Sequence, residues 1–266
     1  MQAAMTDTAS LHKQSAIITG GGRGIGRAIA EALAARGASL TLVGRTADVL
    51  ATAAEEITTR HGVNAQFRTL DVTDGAMVDS VLGDLVRDQG APSILVNNAG
   101  GAESAPFTRL GHATWENTLN LNLTSVYACT HAVLPTMLEA GYGRIVNIAS
   151  TAGLKGFPYV SAYCAAKHGV VGLTRALALE VADRRVTVNA VCPGFTDTDM
   201  LRESIRNIAA KTGRTEAEAR ADLARANRDG RIIQPAEVAE AVARLCAPTA
   251  GGTNGEAITI DAMEAA

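Results

Sequence analysis

Runs of β-branched and Leu residues recur at positions 15–18, 40–43, 65–70, 94–96, 145–148, 186–191 and 257–260. Most are continuously apolar, as a strand covered on both faces requires, whereas a half-exposed strand alternates. Helix-period segments lie between them. The pattern predicts an α/β chain, a doubly wound Rossmann fold with a seven-stranded parallel sheet in one domain. The first helix is predicted over 25–36, with Ile25, Ile29 and Leu33 on one stripe and Gly37 as its stop signal. An irregular or helical excursion at 195–231 separates the sixth strand from a helix starting near Pro235. Its length marks it as a lid over a site. Residues 1–14 carry no such pattern and are expected to be a flexible N-terminus ahead of the folded domain, 15–266.

Composition narrows the classes. The 266 residues are 47% hydrophobic and only 3% aromatic, so the core is expected to be aliphatic. A net charge of -3 without a basic block argues against nucleic-acid or anionic-membrane partners. Cys129, Cys164, Cys192 and Cys246 stand singly, which suggests neither a disulfide framework nor a zinc ribbon and fits a reducing cytoplasm. The N-terminus lacks the basic and apolar regions of a signal peptide, and no apolar run is long enough to span a bilayer. The five histidines show no metal-binding spacing, so no metal is expected. Trp115 and Phe107 are read as packing residues.

Chemistry first appears after the first strand, in TGGGRGIG at 19–26. Glycines there permit tight turns and let backbone approach a pyrophosphate at a helix N-terminus, so strand, loop and helix together predict a dinucleotide site. Downstream, Tyr163 and Lys167 stand four apart on a predicted helix and share a face. A phenol with pKa near ~10 is a poor base at neutral pH, but an adjacent ammonium and the positive nicotinamide of an oxidised cofactor both favour its ionisation and make it a usable acid/base.

The TGxxxGxG spacing, the NNAG run at 97–100 and the Tyr163/Lys167 pair in YCAAK resemble the signatures of the short-chain dehydrogenase/reductase family, over residues 15–261. IVNIAST, AAKHGVVGLTRALALE and VTVNAVCPGFTDT are most similar to β-ketoacyl and polyketide ketoreductases. The resemblance implies hydride exchange between a nicotinamide cofactor and a ketone/secondary alcohol pair. It implies a catalytic group of Asn122, Ser150, Tyr163 and Lys167. Ser150 would polarise the carbonyl, and Asn122 would support a water-linked proton path behind the lysine. Its cofactor positions fall on Gly20, Arg23, Gly24, Ile25, Gly26, Arg45, Asp71, Val72, Asn98, Ala99, Gly100, Tyr163, Lys167, Pro193, Gly194 and Thr198. Asp71 would meet the adenine ring and Thr198 the carboxamide. On its own residues, Asp71 also reads as a cap for a helix beginning near Thr73.

An acid at the end of the second strand would hold the adenosine ribose and repel a 2′-phosphate, but that place is Gly44. Arg45 and Arg23 offer charge-assisted bonds to the phosphate instead, so NADP(H) is preferred, with NAD(H) an alternative. The lid run Arg202, Arg206, Arg214, Arg220 and Arg225, interleaved with acids, reads as a solvated face, with a CoA-phosphate clamp as the alternative. Glu139, in LEAGYG before the fifth strand, departs from the basic residues of carrier-protein reductases, while Arg184 and Arg185 leave docking to an acidic carrier open. A second departure is the family's DGG, replaced by DAMEAA. Wide apolar faces over 112–139 and 161–182 predict a homotetramer, failing that a dimer. The competing readings are a catabolic NAD-dependent alcohol dehydrogenase and a non-catalytic nicotinamide-sensing protein.

Overall fold

In the computed structural model, which describes residues 10–261, seven strands form one parallel sheet in the order β3-β2-β1-β4-β5-β6-β7. They are β1 (Ser15–Thr19), β2 (Ser39–Gly44), β3 (Ala65–Thr69), β4 (Ile94–Asn97), β5 (Gly143–Ile148), β6 (Val186–Pro193) and β7 (Ala257–Ile260). Each predicted run is a strand, and the predicted doubly wound sheet is the observed one. The central strands β4, β5 and β6 are buried along their whole length, while the edge strands β3 and β7 are partly exposed. That gradient matches the continuous apolar runs in the middle and the mixed ones at the edges.

Neighbouring residues of one strand serve opposite layers. Ile18 packs with Ile29 and Leu33 of α1 (Gly24–Ala34) and Val238 and Val242 of α9 (Pro235–Cys246). Ile17 packs with Leu82 of α3 (Gly75–Gln89) and Val133 of α5 (Ser125–Ala140). This is the period of two expected of a strand between helical layers. The remaining helices are α2 (Ala47–His61), α4 (His112–Leu119), α6 (Ser161–Glu180), α7 (Asp199–Thr212) and α8 (Glu216–Arg225). The last two make up the 195–231 excursion, which is helical.

Three expectations are corrected. Leu11 is fully buried and its N–H donates to the Arg36 carbonyl at 2.7 Å, so residues 10–14 are pinned rather than flexible, while 1–9 and 262–266, including most of DAMEAA, lie outside the described residues. Asp74, not Asp71, caps α3, accepting from Met77 N–H. Phe107 is 74% exposed and packs into no core. Among the described residues no helix is long and apolar enough to cross a membrane, and no cluster of potential ligands could hold a metal ion.

Candidate active site

The strand order reverses between β1 and β4, and the segments leaving the carboxyl ends of β1, β4, β5 and β6 converge there, the position where open α/β sheets place ligands. The glycine loop follows β1. Gly20 (φ 66°) and Gly24 (φ 54°) adopt left-handed backbone, and a Cβ at Gly26 would overlap the Gly20 carbonyl. Arg23 at the N-cap of α1 makes no capping bond, and no acid occupies the first turn. The first-turn N–H groups therefore face the loop without a side-chain acceptor, the donor set a pyrophosphate needs. The chain fits a dinucleotide at this place.

Thr19, which sequence reasoning left within the motif without a role, stitches this loop to the one after β4. Its Oγ1 accepts from Asn98 N–H (2.9 Å) and Ala99 N–H (3.0 Å), and Asn98 Nδ2 donates to the Thr19 and Gly20 carbonyls. A hydroxyl at a strand's end is the only signal that could have found it. The Ile25 side chain packs partly buried against the core and Val72 is buried, so their side chains are walls of the site. Asp71 accepts from the Thr73 N–H (3.0 Å) and hydroxyl (2.7 Å). Those bonds, with Arg45 nearby, hold its carboxyl below the usual range. Arg23 and Arg45 are exposed and make no ion pair among the described residues.

Across the loop, a Cβ on Gly24 would sit 3.4 Å from Thr198 Cγ2, so Thr198 lies against the glycine turn. Its Oγ1 also caps α7, accepting weakly from Leu201 N–H. Pro193 ends β6, and Gly194 N–H donates to the Ile260 carbonyl at 2.8 Å.

The four predicted catalytic residues are brought together. Ser150, two residues past β5, accepts from Ala152 N–H at 3.1 Å, donates weakly to the Pro193 carbonyl at 3.5 Å and lies close enough to the Tyr163 hydroxyl to lower its pKa. Lys167 is buried, its Nζ donating to the Ile148 carbonyl at 2.8 Å and lying 5.6 Å from the Tyr163 ring centroid. A Cβ on Gly100 would approach both Asn122 Oδ1 (2.9 Å) and Lys167 Nζ (3.6 Å), which brings the asparagine and lysine together beside that glycine. Asn122 sits in a π-turn, Asn120–Thr124, joining α4 to α5. Its amide is fully used on backbone: Nδ2 donates to the Gly101 and Thr118 carbonyls, and Oδ1 accepts from Gly101 N–H. Such turns interrupt the helical ladder and mark functional sites.

Burial governs the electrostatics. It pushes the Tyr163 phenol up to about 12, partly opposed by the Ser150 hydrogen bond, and brings Lys167 down to about 8. In the protein alone burial outweighs the pull of the ammonium; the positive charge of an oxidised nicotinamide, the other expected aid to ionisation, would come with the cofactor. All four cysteines are buried, and burial raises Cys129 and Cys246 to about 12 and Cys192, beside Lys167, to about 11, so those three thiols stay protonated.

Comparison with known proteins agrees. A short chain dehydrogenase family model matches residues 14–209. The 3-oxoacyl-(acyl-carrier-protein) reductase FabG of Vibrio harveyi is 38% identical over 95% of this chain and 97% of its own length. Among solved structures, a single-substitution variant of actinorhodin polyketide ketoreductase with NADPH superposes with a TM-score of 0.88 at 37% identity, covering 93% of this chain and 95% of that one. L-sorbose reductase from Gluconobacter frateurii, complexed with NADPH and L-sorbose, superposes at 0.90 with 27% identity, covering 96% and 97%. The chain belongs to the short chain dehydrogenase family. It is an oxidoreductase acting on CH-OH groups with a nicotinamide cofactor, and its likeness is to ketoacyl reductases.

Proposed function

We propose that this chain is an NADP(H)-dependent ketoreductase, interconverting a ketone and a secondary alcohol with Tyr163 as the acid/base. The observation that carries the reading is the convergence of Ser150, Tyr163 and Lys167 beside an uncapped glycine loop. Bound at the loop, the nicotinamide would supply the hydride. Ser150 and Tyr163 then hold the substrate oxygen, and the neutral Tyr163 hydroxyl gives its proton to the developing alkoxide. The Lys167 ammonium stabilises the phenolate left behind. Asn122 holds Gly101 in place, and the family resemblance gives it the support of a water-linked proton path behind Lys167.

Arg23 and Arg45, exposed and without ion-pair partners among the described residues, support the phosphorylated cofactor, as do the two neighbours whose structures hold NADPH. The substrate is a small-molecule ketone, either a β-ketoacyl thioester or a cyclic ketone. Against a CoA clamp, Arg202 and Arg220 pair with Asp197, and Arg214 and Arg225 with Asp222, which leaves Arg206 as the lid arginine of that run without such a pair among the described residues. Exposed apolar side chains on the segments that follow β4, β5 and β6, namely Phe107, Leu154, Tyr159 and Met200, suit an apolar ketone better. The loops bearing Phe107 and Tyr159 are joined by the Ala105 N–H to Tyr159 carbonyl bond (2.8 Å).

Oxidation of NADPH and NADH by purified protein, followed across β-ketoacyl thioesters and cyclic ketones, tests the reading. Turnover is expected with NADPH and is expected to fall roughly 10²–10⁴-fold in Tyr163→Phe. Arg45→Ala is expected to weaken NADPH by about tenfold and leave NADH unaffected, the loss of a charge-assisted bond. Equal use of both cofactors by wild type and variant would remove the phosphate-site argument. Tight cofactor binding without turnover of any ketone would favour the sensing protein.

A further inference from the structure

Asn227, at the exit of the 195–231 excursion, is a buried amide with no role so far. Its Oδ1 accepts from Phe195 N–H at 2.8 Å, and its Nδ2 donates to the Phe195 carbonyl at 2.9 Å and the Arg231 carbonyl at 2.7 Å. It thus pairs with Phe195 as a neighbouring strand residue would, through one donor and one acceptor, and joins the first residue of the lid to the last. The approach is so close that a Cβ on Gly194 would overlap Oδ1. Beside it the Thr196↔Ile233 bridge completes a small ladder, with Ile233 N–H donating to Phe195 O (3.0 Å) and Asp197 N–H to Ile233 O (2.8 Å).

We propose that Asn227 is a positioning residue that sets both sides of the reaction cleft, an inference resting on the cofactor site proposed above. Toward the cofactor, the segment it holds carries Thr198 against the glycine turn at Gly24. Toward the substrate, the same segment carries the Phe195 ring, which meets Phe157 edge-on at 5.9 Å between centroids. Phe157 stands in the loop between Ser150 and Tyr163, so Asn227 spans the catalytic segment and the lid through one backbone anchor. Only a side chain of this length with both a donor and an acceptor satisfies all three backbone groups. An aspartate keeps the shape and the acceptor but loses the donor and sets its charge against two carbonyls.

The test compares wild type with Asn227→Asp, Asn227→Gln and Asn227→Leu. Backbone amide exchange over 194–201 and 227–233 is measured alongside thermal midpoint, NADPH affinity by fluorescence, and kcat and KM for a ketone, all normalised to folded protein. The expected result is faster exchange confined to those two segments. NADPH dissociation constants in Asn227→Asp and Asn227→Leu should rise on the order of tenfold, kcat should fall, and Asn227→Gln should recover part of both. A lowered midpoint with unchanged affinity, kcat and KM would make Asn227 a stability residue and overturn the proposal. Unchanged exchange would show that the clasp does not hold the loop, and equally overturn it. Wild-type protein that fails to bind either nicotinamide cofactor would defeat the cofactor reading itself, and the positioning role would fall with it, while the exchange pattern would still report the clasp.

Discussion

At the scale of single residues, the opposed shifts of Tyr163 and Lys167 predict a pH profile. Ketone reduction needs a protonated Tyr163, which persists to about 12, and a cationic Lys167 to stabilise the phenolate, which is lost above about 8. The reductive rate is therefore expected to be flat through neutrality and to fall as pH rises through about 8, with no second loss from the tyrosine until far higher pH. Global unfolding through Lys167 would not mimic this. Its pKa is depressed in the fold, so between about 8 and 10.5 the unfolded chain binds the proton that the folded chain lacks, and this group adds stability as pH rises. Initial rates from pH 6 to 10, beside the thermal midpoint at each pH, decide the matter; a rate that climbs above pH 8 would reject the assignment of Lys167. The tetrad itself was legible because its members lie in three short motifs. Its electrostatics were not, because burial depends on neighbours far away in the chain, such as Cys192 beside Lys167. Buried Arg144 was equally hidden: no carboxylate among the described residues bonds it, and its guanidinium donates to the carbonyls of Gly143, Arg185, Ala247 and Pro248, residues that only folding assembles.

Among elements, strands were read nearly to the residue, since a fully buried strand must be a short continuous apolar run bounded by turns. Helix ends were less readable. The α3 cap went to Asp71 rather than Asp74 because both precede the helix, and only the backbone path separates a cap from the Asx turn that Asp71 makes with Thr73. The π-turn at Asn120–Thr124 has no periodic signature in so short a segment, and Leu11 looked like tail because a lone Leu has no period. The glycines joining β1 to α1 were legible, though the Thr19 stitch was not, and they support a prediction. Gly26→Ala would drive a Cβ into the Gly20 carbonyl and the Asn98 amide, neither of which is the end of a flexible chain. The loop must shift, at a cost of about 1–3 kcal/mol. Nicotinamide binding, measured by fluorescence on the folded fraction, is expected to weaken at least tenfold, with the circular dichroism spectrum retained. Unchanged affinity would mean that this loop is not where the pyrophosphate lies.

For the whole molecule, the sheet order ends on β7, and α5 and α6 carry exposed apolar side chains, features on which copies of a chain would associate. On α5, Tyr127 is 54% exposed and leans on His131, with ring centroids 5.5 Å apart; on α6, Leu179 is 81% exposed. A two-fold axis through the α5 and α6 faces would bury these side chains against their own copies, and a second axis along the β7 edge would convert the dimer into a homotetramer. The two surfaces are separable by mutation at Tyr127 because α5 packs on α3, β4 and β5, whereas the end of α6 touches the segment leading into β7, Asn254 donating to the Ala178 carbonyl at 2.8 Å. Tyr127→Arg places a charge in the first interface only, so light scattering at micromolar concentration is expected to give the mass of four chains for wild type and of two for the variant. Four chains in both would move the first interface elsewhere on the molecule, and a variant that falls directly to one chain would mean that the β7 edge does not associate alone. A wild type of one chain would defeat the assembly prediction while leaving the active site untouched, since Asn122, Ser150, Tyr163 and Lys167 are all supplied by a single subunit.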